Sequence, residues 1–166
     1  MKLKKLKVDI DEIGWYMETQ DRFDTEIFLD LETGEIVAVD LELLDRVDNG
    51  EPFEELTEWS EEEIKQCEEI LFSDTERYVC IPTIDSYEVY RWMQEFANSV
   101  NDVLLKEKLA IALDGKGAFR RFKNVLDNYP RYREKWFKFK REKLNKEIVE
   151  WLHSIGVEPE DKSGQR

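Results

Sequence analysis

The sequence predicts an α+β fold: a small antiparallel β-sheet, made of a hairpin plus a third strand, packed with a larger C-terminal helical subdomain. Three observations carry this. Thr33-Gly34 stands between two β-rich runs, helix-start signals recur at Ser60 and Asp85, and apolar stripes at helical spacing fill the chain from residue 85 onwards. Strands grouped ahead of helices favour this class over a doubly wound sheet.

Taken in order, residues 8–17 hold Val8, Ile10, Ile13, Trp15, Tyr16 and Met17, which predict a short helix around Ile13. The run RFDTEIFLDLETGEIVAVD reads as a hairpin, with Gly34 supplying the positive φ that a tight reversal needs. Residues 41–57 are acidic and contain Asn49-Gly50 and Pro52, so an irregular connection is expected there. Ser60 and Glu63 then form a capping box with Trp59 and Ile64 as its hydrophobic staple, and Ile64, Cys67 and Leu71 follow at helical spacing. RYVCIP predicts a third strand, stopped by Pro82, which has no N–H for a ladder.

The helical part begins where Asp85 and Glu88 cap a helix whose stripe is Val89, Trp92, Met93, Phe96, Ala97 and Val100. Residues 103–113 are apolar nearly all round, which predicts a helix buried on most sides and ended by Gly115. Residues 117–127 give another helix, with Phe119, Phe122, Val125 and Leu126 on a core face opposed to Arg120, Arg121, Lys123 and Asn124. Pro130 starts a long last helix that runs to about Ser154 and is closed by Gly156. Its stripes are aromatic (Tyr132, Trp136, Phe139), core-like (Phe137, Leu144, Ile148, Trp151, Ile155) and basic (Arg131, Lys135, Lys138).

A chain of 166 residues suits one domain, read as an acidic α/β part over 1–82, a helical part over 83–157 and a flexible polar tail over 158–166. The apolar fraction of 41 % is enough to fill a core, which argues against global disorder. No run approaches the length of a membrane span and MKLKKLKVDIDE lacks a secretory apolar stretch, so a cytoplasmic protein without a membrane partner is expected. Cys67 and Cys80 have no disulfide-framework or zinc spacing and are expected as two buried thiols. The net charge of −14 conceals a division: residues 9–76 balance at −22, while residues 115–146 balance at +9. Either these regions satisfy one another and the solvent, or the basic segment faces an anionic partner.

Chemistry is most suggestive at Gly115-Lys116-Gly117, followed by AFRRFK. Two glycines would let the backbone approach an anion, helix-start N–H groups would point at it, and Lys116, Arg120, Arg121 and Lys123 would add charge. The spacing is not that of a phosphate-binding P-loop, and the plainer reading makes Gly115 a helix terminator and Gly117 a helix start. YREKWFKFKREK interleaves rings and cations as single-stranded nucleic-acid sites do, with Tyr132, Trp136 and Phe139 as possible contact residues. His153, the one histidine, reads as a surface or cap residue rather than a general base. Asp9/Asp11/Glu12, Asp40/Glu42 and Asp45/Asp48 could hold Mg²⁺ or Ca²⁺, but DRVDNG fails the calcium-loop pattern, so neither metal nor cofactor is assigned.

The segments IPTIDSYEVYRWMQEFANSV, ALDGKGAFRRFKNVL and YREKWFKFKREKLNKEIVEWLHSIGVEP resemble members of a bacterial family, Uncharacterised Protein Family 0158. The likeness covers residues 23–159 and is weakest over 41–57. It implies a small bacterial cytosolic protein, transfers no catalytic residue, and marks Asp85, Ser86, Tyr87, Tyr90 and Arg91 together with 115–123 as family-like positions. The expected function is a non-enzymatic binding or regulatory module whose basic helical surface contacts nucleic acid, another phosphate-bearing ligand or an acidic protein. Its rivals are a metal-dependent enzyme acting on a phosphorylated small molecule, and a protein-interaction domain whose acidic half mimics nucleic-acid charge.

Overall fold

In the computed structural model of the chain, residues 2–19, 21–73 and 76–162 are described. The fold is α+β, and the chain divides into two compact units, one formed by Met1–Thr83 with Ile148–Arg166 and the other by Ile84–Glu147.

The first unit opens with β1 (Lys4–Val8) and α1 (Ile10–Glu18), which is N-capped by Asp9. The strands β2 (Thr25–Asp30), β3 (Ile36–Asp40) and β4 (Tyr78–Cys80) form an antiparallel sheet in the order β3-β2-β4, so RYVCIP lies beside the hairpin as expected. Alternation puts Phe28 and Val39 on one face, which packs on α2 (Leu41–Asp48) and α3 (Glu61–Phe72) through Leu43, Leu44, Val47, Ile64 and Cys67. Ile27 and Leu29 point to the opposite face and are also buried. The capping box of Ser60 and Glu63 is formed, with the serine hydroxyl accepting the Glu63 N–H at 3.1 Å.

Two expectations are overturned here. Residues 41–57 are not irregular: Asp40 accepts the N–H groups of Glu42 and Leu43 and starts α2, and a 3₁₀ turn follows at Phe53–Glu55. The acidic composition masked a helix whose apolar stripe is only Leu43, Leu44 and Val47. Nor is 158–161 a tail. It belongs to β5 (Val157–Asp161), which pairs in parallel with β1 from Lys4↔Val157 to Val8↔Asp161. Residues 163–166 of the expected tail lie outside the described residues.

Gly34 explains how the hairpin meets this second sheet. Its φ is +78°, and a Cβ added there would stand 1.9 Å from the Lys7 carbonyl oxygen, so the turn lies backbone to backbone on β1. Beside it, Asp30 is buried and accepts two guanidinium hydrogen bonds from Arg77, at 2.8 and 2.9 Å, and the Glu32 N–H at 2.9 Å. Burial works to raise the Asp30 carboxyl, but these bonds outweigh it and hold the group below the usual carboxylate range.

The second unit contains α4 (Ser86–Ser99), α5 (Val103–Ala112), α6 (Ala118–Asp127) and the greater part of α7 (Pro130–Ser154). Its centre is aromatic. Phe122 and Trp136 meet edge to face at 5.0 Å, and Phe96 lies 5.5 Å from Trp136 and 5.7 Å from Phe139. The expectation of a largely buried α5 is corrected: Leu105, Leu109 and Ala112 are buried, but Val103, Leu104 and Ile111 are exposed. An all-round apolar sequence carries no periodicity from which to read its buried side.

Candidate functional site

The Gly115 to Gly117 loop joins α5 to α6, and both glycines are left-handed, with φ of +80° and +81°. Gly117 is the N-cap of α6, so the plainer reading of the two glycines describes the backbone. Arg121 reaches back over the loop and donates to the carbonyls of Ala112 at 3.0 Å, Asp114 at 2.5 Å, Gly115 at 3.4 Å and Lys116. Tyr90, from α4, donates its hydroxyl to the Leu113 carbonyl at 2.6 Å. The carbonyls at the C-terminal end of α5 are therefore satisfied by two side chains, one from each flanking helix. Arg121 is thus engaged with backbone carbonyls, which gives it a structural role at this loop beside the anion-contacting one expected of it. Lys116, Arg120 and Lys123 remain exposed.

Tyr90 stands at a family-like position and Arg121 in the basic segment, and their convergence on one helix end is invisible in the sequence because 31 residues separate them. The other positions of that group have local roles. Asp85 caps α4 by accepting the Tyr87 N–H at 2.8 Å, Ser86 is the first residue of that helix, and Arg91 lies 3.3 Å from Glu88. The Tyr87 ring is exposed.

On α7, Arg131, Lys135 and Lys138 are exposed and line an open surface depression together with Glu134. At 100° per residue these three cations fall within about 60° of arc. Among the described residues no carboxylate forms a salt bridge with any of them. Two nearby cations are paired, Arg133 at 3.7 Å from Asp127 and Lys143 at 3.0 Å from Glu95.

The aromatic assignments change. Trp136, one of the possible contact residues, is 4 % exposed inside the ring cluster, and Phe139, another, is half-buried against Phe96. Tyr132 is half-buried, with the Lys135 ammonium 5.0 Å from its ring centre. Phe137, expected in the core stripe, is 50 % exposed, and the Arg133 guanidinium lies 5.4 Å from its ring centre. Adjacent residues on a helix point about 100° apart, so with Trp136 turned into the ring cluster Phe137 is carried away from it, and the core stripe in this part of the helix runs through Trp136 rather than Phe137.

The cysteines and carboxylates give little chemistry. Cys67 is buried as expected, and burial pushes its thiol up to about 11. Cys80 is exposed, contrary to expectation; desolvation and a hydrogen bond to Glu26 at 2.7 Å also raise it to about 11, so both thiols stay protonated near neutrality. His153 Nε2 stands 2.7 Å from Glu158, joining the end of α7 to β5. Among the described residues no three His, Cys, Asp or Glu side chains converge as metal ligands. Asp9 and Asp40 cap helices instead, accepting the N–H groups of Glu12 and Glu42. No helix among the described residues is long and apolar enough to cross a membrane.

Comparison with known proteins finds relatives in several bacteria. A UPF0158 protein of Pseudomonas aeruginosa is 22 % identical over 157 residues, covering 95 % of this chain and 88 % of its own length. A UPF0158 protein of Chlamydia pneumoniae is 30 % identical over 130 residues, or 78 % of this chain, and one of Chlamydia trachomatis is 28 % identical over the same number. The matched region is 35 % of each chlamydial protein, so the chain spans only about a third of their length. No solved structure matches. The family model described as Uncharacterised protein family (UPF0158) matches residues 4–162 and so takes in β1 and α1, beyond the 23–159 that the motifs suggested. With both compact units and the closing β1·β5 pair inside that match, the chain belongs to the Uncharacterised protein family UPF0158.

Proposed function

We propose that this protein is a binding module whose α7 surface contacts the phosphates of a partner. The observation that carries the reading is the grouping of Arg131, Lys135 and Lys138 on one exposed face, free of salt bridges among the described residues, in a chain whose net charge is −14. Three cations held within one arc of a rigid helix, none in a salt bridge among the described residues, repel one another, and an anion relieves that repulsion. Lys116, Arg120 and Lys123 are further exposed cations on and before α6 that support the same reading. Arg121 contributes architecture, by holding the loop that carries Lys116.

The test is binding of a fluorescent DNA duplex of about 20 base pairs. If three cations each neutralise one phosphate, affinity falls roughly 40-fold between 50 and 200 mM salt. Reversing two of them, Lys135→Glu with Lys138→Glu, abolishes most of the binding and flattens the salt dependence. Absence of binding at low salt, or binding indifferent to both salt and this double reversal, removes the reading. A preference for an acidic peptide over every phosphate-bearing probe identifies a protein partner instead.

A further inference from the structure

We infer that the exposed stripe Arg133–Phe137–Arg141 of α7 is a base-stacking platform, and that the partner of this surface is single-stranded nucleic acid. The inference rests on the phosphate-contacting reading of α7 and adds to it the class of partner and the residue that discriminates it.

Phe137 carries the argument. It is a large apolar ring left 50 % exposed on a helix whose other rings at 132, 136 and 139 are at least half-buried. Residues 133, 137 and 141 are four apart and form one row along the helix, at about 40° steps. Arg133 and Arg141, each four residues from Phe137 on this row, are both exposed. Arg133 is held in place twice over, 5.4 Å from the Phe137 ring centre and 3.7 Å from Asp127.

The row itself carries cations. Lys138 lies about 100° round the helix from Phe137, whereas Arg131 and Lys135 lie about 120° and 160° round it, so a strand whose bases reach the ring sets its nearest phosphates against Arg133, Arg141 and Lys138. A phosphate is satisfied by cations alone. An exposed ring between two arginines adds recognition of a flat, electron-rich partner that stacks, and an unpaired base provides that face whatever its identity. A duplex hides its base faces inside the stack and offers Phe137 nothing, so the geometry distinguishes single strands from duplexes without reading sequence.

The experiment compares three fluorescent probes with the full chain: a mixed-sequence single strand of about 20 nucleotides, its duplex, and an abasic strand of the same length. The single strand is expected to bind more tightly than either control. Phe137→Ala weakens it roughly tenfold, the loss of about one stacked base, and leaves the salt slope and the duplex affinity unchanged. Phe137→Trp restores or exceeds the original affinity. Because the ring is half in solvent, circular dichroism and urea unfolding of these variants should match the parent. Equal binding of strand, duplex and abasic strand, or a Phe137→Ala variant that binds the strand as the parent does, overturns the inference while leaving the phosphate-contacting surface standing. Loss of all three probes in the parent protein removes both.

Discussion

The two compact units are held together in different ways. In the first, order comes from backbone meeting backbone across long stretches of chain: β1 pairs with β5 more than 150 residues later, and the Gly34 turn lies on the Lys7 carbonyl. In the second, order comes from side chains, with four rings at the centre and the end of α5 closed by Tyr90 and Arg121. The first arrangement tolerates no added atom where the backbones touch, and the second tolerates no lost ring. The contrast predicts opposite sensitivities to gain and loss of volume.

The harshest test of the first unit adds one methyl group. Gly34→Ala places a Cβ at 1.9 Å from a carbonyl oxygen, on a residue with φ of +78°, and neither backbone can give way without breaking the β1·β5 pairing or the hairpin. We expect a loss of about 4 kcal/mol or more, read as a shifted urea midpoint or as an insoluble product. A variant as stable as the parent would show that the close approach is not needed. In the second unit the matching test removes a ring. Trp136→Ala empties the centre of the cluster and should cost about 3–5 kcal/mol, whereas Tyr132→Ala, about one helical turn away and half-buried, should cost clearly less. Similar costs for the two would mean that Trp136 is no more central than its neighbour.

The same contrast explains what could be read from the residues alone. Helices with a clear polar side and a cap were legible, α3 and α4 through Ser60 and Asp85, and so was the Gly34 hairpin with its third strand. Elements defined by distant partners were not. VEPED contains a proline and three acids and becomes a strand only because β1 supplies its parallel neighbour. The pair Asp30–Arg77, 47 residues apart, left no local trace either. At the candidate site the cations Arg131, Lys135 and Lys138 were legible because residues four and seven apart share a helix face. The exchange between Trp136 and Phe137 was not, because a helix with apolar residues on several sides leaves its buried side undetermined until its neighbours are known.

A smaller effect comes from the buried carboxylate. Asp30→Asn keeps the volume but removes the charge that Arg77 grips, and should cost about 2–3 kcal/mol at neutral pH. The Asp30 carboxyl is held below its ordinary value in the folded state. Its stabilisation is therefore complete above the unfolded-state value of about 3.9 and disappears as pH falls through the lower folded-state value. Urea midpoints of parent and variant should differ most at neutral pH and draw together steadily below about pH 4. A gap that stayed constant into acid would mean that the charge is not what stabilises this corner of the first unit.

The finest comparison sets two adjacent arginines of α6 against each other. Arg121 donates to four carbonyls around the end of α5, while Arg120 is exposed and makes none of these bonds. Arg121→Ala leaves those carbonyls to water and should cost about 2 kcal/mol; Arg120→Ala should stay within about 0.5 kcal/mol of the parent. Arg121→Lys should recover little, because an ammonium is one donor centre where the guanidinium is a fork that spans several oxygens. The phosphate-contacting reading expects the reverse order in binding, with Arg120→Ala weakening the duplex complex at unchanged stability. If Arg120 and Arg121 behaved alike in both measurements, charge alone would govern α6, and the loop would owe its shape to its two glycines rather than to the guanidinium that closes it.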